Sequence, residues 1–135
     1  MGTVGFNTRG QFMSATVHMI IGGITLILFL VNAVMYGIEF VKGKPAAYHR
    51  LVSIAAATGL LLQYMLGFML LADSGFDSIS WTHWVIALLA ILPVGLEHGG
   101  TANQTNFRKK SIMGLSATTI TIVLVFVVFM IGELN

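Results

Sequence analysis

Four long apolar segments, each able to cross a bilayer as a helix, dominate this 135-residue sequence. They cover about residues 12–41, 45–72, 80–97 and 112–132. A bilayer core of about 30 Å needs roughly 20 predominantly apolar residues in helical form. Only 9% of the residues are charged and 56% are hydrophobic, whereas a soluble domain carries about a quarter charged residues. The sequence therefore predicts an all-α membrane protein and excludes a soluble globular domain.

The connections between the segments are short and polar, which predicts a single domain over residues 1–135. Pro45 stands just after the first connection and is well suited to open the second helix, because proline is favoured at the first helical position. Short connections make consecutive helices antiparallel neighbours, so we expect an up-down bundle of four transmembrane helices. The first segment is too long for the apolar region of a signal peptide, so we expect it to be a transmembrane helix and not a cleaved signal.

Basic residues set the expected orientation of the bundle. The loops 42–50 and 99–111 lie on one side and hold six of the seven Lys and Arg residues. Positively charged loops stay in the cytoplasm. We therefore expect a cell-membrane protein with both loops on the cytoplasmic side and both chain termini on the outer side. The net charge of +2 is accounted for by this topology and does not indicate nucleic acid binding.

Several kinds of site are excluded or disfavoured. The chain has no cysteine, which excludes disulfides, thiolate zinc sites, Cys-ligated iron–sulfur clusters and covalently attached haem. No row of acidic residues crosses the predicted bundle centre, so an ion pump or channel is not favoured. Glu39 and Glu97 lie near the inner ends of their helices, where we expect them to reach water; a proton path or quinone site is the functional alternative.

The four histidines are the main candidates for chemistry, because ionisable groups inside a membrane are rare and mostly functional. His18 and His83 fall at similar outer depth on the first and third helices. His49 and His98 fall at similar inner depth on the second and third. The histidines therefore form two predicted pairs, one near each membrane face, and this separation disfavours a zinc site with three histidines.

Haem b suits this arrangement, because imidazoles from two facing helices can bind an iron from both sides. His83 and His98 are 15 residues apart, which corresponds to about 22 Å along a helix and a rotation of about 60°. We predict one haem at His18 and His83, with the inner pair offering a second site. Gly22 and Gly67 leave room for a flat cofactor, and Arg50 is a candidate partner for a propionate of the inner haem.

Simpler readings remain open for each of these residues. Glycines also serve close helix packing in membranes. His49 and His98 lie in or beside basic loops, where a solvated histidine is ordinary. A single histidine could also bind a pigment, or form a hydrogen bond within a structural subunit that holds no redox cofactor.

Short motifs around these histidines resemble a known family. His18, the segments 48–51 (Tyr-His-Arg-Leu) and 62–67 (Leu-Gln-Tyr-Met-Leu-Gly), and Trp81 to Trp84 around His83 resemble one four-helix half of the haem A synthases. The chain is also similar to the cytochrome b561 class, in which two haems lie near opposite membrane faces. The resemblance implies that His18 and His83, 65 residues apart, bind a haem. The catalytic glutamate and the cysteine pair of the synthases are absent from this sequence. The resemblance therefore does not imply synthase activity.

Together these observations predict a membrane-integral b-type cytochrome with one or two bis-histidine haems. We expect it to transfer electrons as a subunit of a respiratory or photosynthetic complex. Its partners would be other membrane subunits, redox proteins or a quinone, because almost no chain lies outside the predicted membrane. The alternative is a structural, assembly or pigment-binding subunit of a larger membrane complex.

Overall fold

The protein is all-helical over the residues described by the computed structural model, which gives the backbone of residues 8–134 and the side chains of residues 15–77 and 79–132. The α-helices are α1 (Thr8–Lys42), α2 (His49–Ser74), α3 (Trp81–Leu89), α4 (Ile91–Gly95) and α5 (Phe107–Leu134). A 3₁₀ turn (Phe76–Ser78) precedes α3, and a π-helical turn (Leu96–Gly100) follows α4. No strand occurs in the described part of the chain.

Four helical spans are long and apolar enough to cross a membrane: Ala15–Lys42, His49–Ser74, Trp81–Gly100 and Phe107–Gly132. The third span combines α3, α4 and the π-helical turn. Their surfaces expose large apolar side chains, such as Val34 at 62% and Leu61 at 63%, and a water-soluble monomer rarely exposes large continuous patches of this kind. The predicted four-helix, all-α architecture is confirmed, and these helices are compatible with a multi-pass membrane protein. Insertion and the outer position of the termini stay predictions.

Consecutive spans run antiparallel. α1 packs against α2 and α5, while α5 also packs against α3 and α4. At one end of the bundle His18 lies beside Gly67, and at the opposite end Glu39 contacts His49. We call the first the terminal end, because α1 begins and α5 ends there. The second is the basic end, where residues 43–48 and 101–106 connect the spans.

The second helix begins at His49, later than the predicted residue 45. The carboxylate of Glu39 explains the difference, because its Oε1 accepts a hydrogen bond from the backbone N–H of Ala46 at 2.9 Å and lies 2.7 Å from Nδ1 of His49. Tyr48, immediately before the helix, has a left-handed backbone with φ of 63°. Pro45 therefore lies in a loop that Glu39 holds in place and does not open the helix.

The third span is interrupted, although a continuous helix over residues 80–97 was predicted. α3 ends at Leu89 and α4 starts at Ile91. Pro93 accounts for the break, because its ring removes the hydrogen bond to Leu89, four residues earlier, and clashes with that carbonyl. The chain then continues through the π-helical turn to Gly100. The first and last helices, α1 and α5, also start earlier than predicted, at Thr8 and Phe107. In both cases the mostly polar residues that precede the apolar segment form an additional helical turn.

A small apolar core lies in the middle of the bundle. Phe29, Ala56 and Leu60 are buried against each other. On α1 and α2 this cluster stands between two regions richer in polar side chains, one toward each end. Those two regions contain the candidate sites.

Candidate functional site

A cavity of about 470 Å³ occupies the terminal half of the bundle. All four spans contribute to its wall, and its lining is mainly apolar and aromatic, with small residues on α1, α2, α3 and α5. His18 of α1 and His83 of α3 both line it. The structure therefore brings together at one cavity the two histidines that were predicted to form the outer pair.

Each of the two imidazoles packs against a glycine of a neighbouring helix. A Cβ placed on Gly67 of α2 would lie 3.3 Å from Cε1 of His18, and one on Gly132 of α5 would lie 3.4 Å from Cε1 of His83. The two imidazoles are also close enough to interact electrostatically. The His83 ring has a backbone hydrogen-bond partner at Val128 as well. Close packing therefore holds each ring against a different helix, His18 against α2 and His83 against α5.

Buried polar atoms without partners cluster on this cavity. Among the described residues, five buried side-chain nitrogen or oxygen atoms have no hydrogen-bond partner. Four of them belong to residues of the cavity wall: His18 Nδ1, Thr25 Oγ1, Gln63 Oε1 and His83 Nδ1. Nearly all buried polar groups in folded proteins have a partner, so this concentration makes the cavity the candidate site of the bundle.

The predicted glycines also lie here. Gly22 and Gly67 both line the cavity, and a Cβ on Gly22 would come within 2.7 Å of Nε2 of Gln63. Sequence reasoning missed Thr25 and Gln63 as cavity residues, and it missed Gly132. The depth comparison that pairs the histidines could have found Gly132, because it lies at the terminal end of the last span.

The inner pair of histidines has different surroundings. His49 is buried, with Nδ1 2.7 Å from Glu39 Oε1 and Nε2 3.0 Å from Asn32 Oδ1. Both of its ring nitrogens therefore have protein partners. His98 is exposed, and its Nδ1 lies 3.5 Å from Oγ of Ser53. A second haem at this pair stays a prediction.

Arg50 and the possible metal-binding groups were the other predicted or conceivable parts of a site. Arg50, the predicted propionate partner, is exposed. No group of three or more His, Asp or Glu residues suited to a metal ion occurs in the described part of the chain. A bis-histidine haem needs only two such ligands, so this finding does not bear on it.

Glu97 is the centre of a buried polar network at the basic end. Its side chain is 1% exposed, although water contact was predicted for it and for Glu39, which is also buried. Glu97 Oε1 accepts hydrogen bonds from Asn32 Nδ2 at 2.7 Å, Tyr36 OH at 3.2 Å and Ser53 Oγ at 2.8 Å. Its Oε2 has no partner. The π-helical turn presents this carboxylate to the interior, and the expectation of solvated glutamates is wrong.

This Glu97 network joins all four spans. Asn32 of α1 also donates to Oγ1 of Thr118 on α5, at 3.3 Å, and its Oδ1 is the atom next to His49 of α2. Buried polar networks whose members are nearly all satisfied select one packing arrangement over others. We therefore expect the network to favour one rotation of the four spans about their axes.

Comparisons of the chain with protein-family models, curated proteins and solved structures found no match. The resemblance to haem A synthases and the cytochrome b561 class therefore rests on the short sequence motifs alone. The case for a function comes from the cavity, its two histidines and its unpartnered polar atoms.

Proposed function

We propose that this protein is a membrane-integral b-type cytochrome that binds one haem b, without a covalent link, between His18 and His83. The observation that carries the proposal is the coincidence of two imidazoles with unpartnered Nδ1 atoms on one apolar cavity. The cavity volume of about 470 Å³ falls within the range of small-molecule and cofactor sites, roughly 300–1,000 Å³.

The wall of the cavity fits a flat and largely apolar group. Its small residues leave space beside the rings of His18 and His83, where a Cβ on Gly67 would already be in close contact. Phe68, Trp84 and other apolar side chains would exclude water from the bound group. Because the chain has no cysteine, the histidines would be the main attachment points.

A haem bound by two imidazoles supplies one-electron transfer, because neither axial position stays open for oxygen or a substrate. The protein's part is to hold both rings in place and to keep the site dry. The hydroxyl of Tyr64, a cavity residue, donates to the backbone carbonyl of Ala87 and so ties α2 to α3 beside the site. We infer that electrons are exchanged with other membrane subunits, redox proteins or a quinone, and that the basic loops face the cytoplasm.

The test is a reduced-minus-oxidised absorption spectrum of gently purified protein, with a pyridine haemochrome count per chain. We expect a low-spin b-type spectrum and about one haem per chain. His18→Gln and His83→Gln should each abolish that spectrum, because each removes one axial ligand. His98→Gln is the matched control, since His98 is exposed and should leave the spectrum unchanged.

Other results would overturn the proposal or change its scope. Absence of haem from protein purified with its partners would refute the cytochrome and favour a structural subunit. A bound pigment that survives one of the two histidine substitutions would favour single-histidine pigment binding. A count of two haems that falls to one in His98→Gln would add the site at His49 and His98.

A further inference from the structure

The cavity is bordered by a gap between α2 and α3. Several large apolar side chains both line the cavity and are exposed on the protein surface. Four of them lie on α2, on the connection to α3, or on α3 itself: Phe68 at 56%, Phe76 at 70%, Trp84 at 38% and Leu88 at 38% exposed. We call these four residues the aromatic rim. Because each of these side chains lines the cavity and is also exposed, the wall of the cavity is at the same time the outer surface of the bundle there.

Backbone packing agrees with an opening at this place. α2 packs closely on α1, and α3 packs closely on α5, whereas α2 and the third span are joined by side-chain hydrogen bonds. Tyr64 OH donates to the carbonyl of Ala87, and Ser53 Oγ donates to Glu97. The Ser53–Glu97 bond lies near the basic end. The Tyr64–Ala87 bond lies about one turn closer to the basic end than Phe68 on α2 and Trp84 on α3. The gap is therefore closed at the depth of Tyr64 and Ala87, on the basic-end side of Phe68 and Trp84.

The rim has the chemistry of a surface that faces lipid. It consists of three aromatic residues and one leucine, all within or next to the apolar spans. A flat apolar molecule dissolved in the bilayer could pass between such side chains without losing hydrogen bonds to water. A charged molecule arriving from the aqueous phase would find the indole N–H of Trp84 as the single polar group among these four side chains.

We propose that the group bound in the cavity is loaded and released sideways, from the hydrocarbon phase of the membrane, through the gap between Phe68 of α2 and Trp84 of α3. The identity of that group as haem rests on the proposed function. The route itself rests on the rim, on the cavity that it borders and on the hydrogen bonds that close the gap on the basic-end side of Phe68 and Trp84.

A reversible crosslink across the rim tests this route. The chain has no cysteine, so the double variant Phe68→Cys with Trp84→Cys can be joined by a short bis-methanethiosulfonate and released with a reductant. We expect the crosslinked apoprotein to take up haem from vesicles roughly tenfold more slowly or worse, because the crosslink blocks the route. Reduction should restore the rate.

Two controls belong with this variant. Ile20→Cys with Met130→Cys places thiols on exposed side chains of α1 and α5 that do not line the cavity, and its crosslink should leave uptake unchanged. Crosslinking the rim after loading should preserve the spectrum and slow transfer of haem to an external acceptor. Equal uptake by crosslinked and free rim variants would overturn the proposal and indicate a route from the terminal end.

A second measurement tests the route without haem. Ala87→Cys places a thiol on the cavity wall. A membrane-dissolved aromatic maleimide should label this thiol, and a permanently charged, water-soluble thiol reagent should not. Faster labelling by the charged reagent would refute lateral access. Failure of haem binding together with labelling by the apolar reagent would refute the haem and leave the route standing.

Discussion

Removal of the Glu97 carboxylate is expected to destabilise the bundle strongly, whereas its replacement by an amide should not. Glu97→Ala leaves Asn32, Tyr36 and Ser53 without the acceptor that they share. A buried donor without a partner costs about 1–3 kcal/mol, so three of them predict a loss of roughly 3–9 kcal/mol. Entry of water into the space left behind would bring the loss toward the lower end of that range.

Glu97→Gln keeps the Oε1 acceptor and places its amide nitrogen where Oε2 already lacks a partner. We therefore expect a loss below about 2 kcal/mol, smaller than that of the alanine variant. The assay is reversible unfolding in mixed detergent followed by circular dichroism, with the exposed Asp73→Ala as a control that should stay within about 0.5 kcal/mol of the parent. Stability of Glu97→Ala near that of the parent, or equal losses in both Glu97 variants, would refute the reasoning.

Three further substitutions have distinct expected outcomes. Gly67→Val should displace the ring of His18 and lower haem retention in a dialysis assay, whereas Gly23→Ala should not, since no atom lies within 4 Å of a Cβ there. Tyr64→Phe should lower the free energy of unfolding by about 0.5–1.5 kcal/mol and speed labelling through the rim. His49→Phe should destabilise the protein by about 2 kcal/mol or more in the same unfolding assay, yet leave one haem per chain; loss of that haem would contradict the assignment to the other pair.

The pairing of His18 with His83 was predictable because it depends only on helix rise and short connections. A residue near the start of the first span and one near the start of the third must lie at the same depth in an up-down bundle. Rise per residue is nearly constant in helices, so depth follows from counting. The shared cavity agrees with that counting.

The surroundings of His49 and Glu97 were not predictable in the same way. They depend on how each helix is rotated about its axis, and rotation is normally read from an apolar face opposed to a polar one. These spans are apolar on nearly all faces, so the pattern carries little rotational information. The π-helical turn adds to the difficulty, because it changes the direction of Glu97 relative to a regular helix.

Of the two prolines, Pro93 determines where a helix is interrupted, and Pro45 does not start one. Pro45 was expected to open the second helix because it follows a basic loop, yet it lies outside a helix. Pro93 lies within the third span and interrupts it at Ala90. Since a proline inside a helix loses one backbone hydrogen bond and clashes four residues earlier, the break after Leu89 follows from the sequence once the third segment is treated as helical.

We predict that the Glu97 network and the histidine cavity are coupled through the rotation of α1, although they lie at opposite ends of the bundle. Asn32 stands 14 residues beyond His18 on α1, which corresponds to about 21 Å of helix. Exposed apolar side chains on nearly all faces of the spans do little to select one rotation, whereas the hydrogen bonds of Asn32 and Glu97 depend on the direction of their side chains. The same rotation of α1 turns His18 toward the cavity that it shares with His83. We therefore expect the network to help position His18 for the proposed haem, so that Glu97→Ala should broaden the haem spectrum even in the fraction of molecules that stays folded.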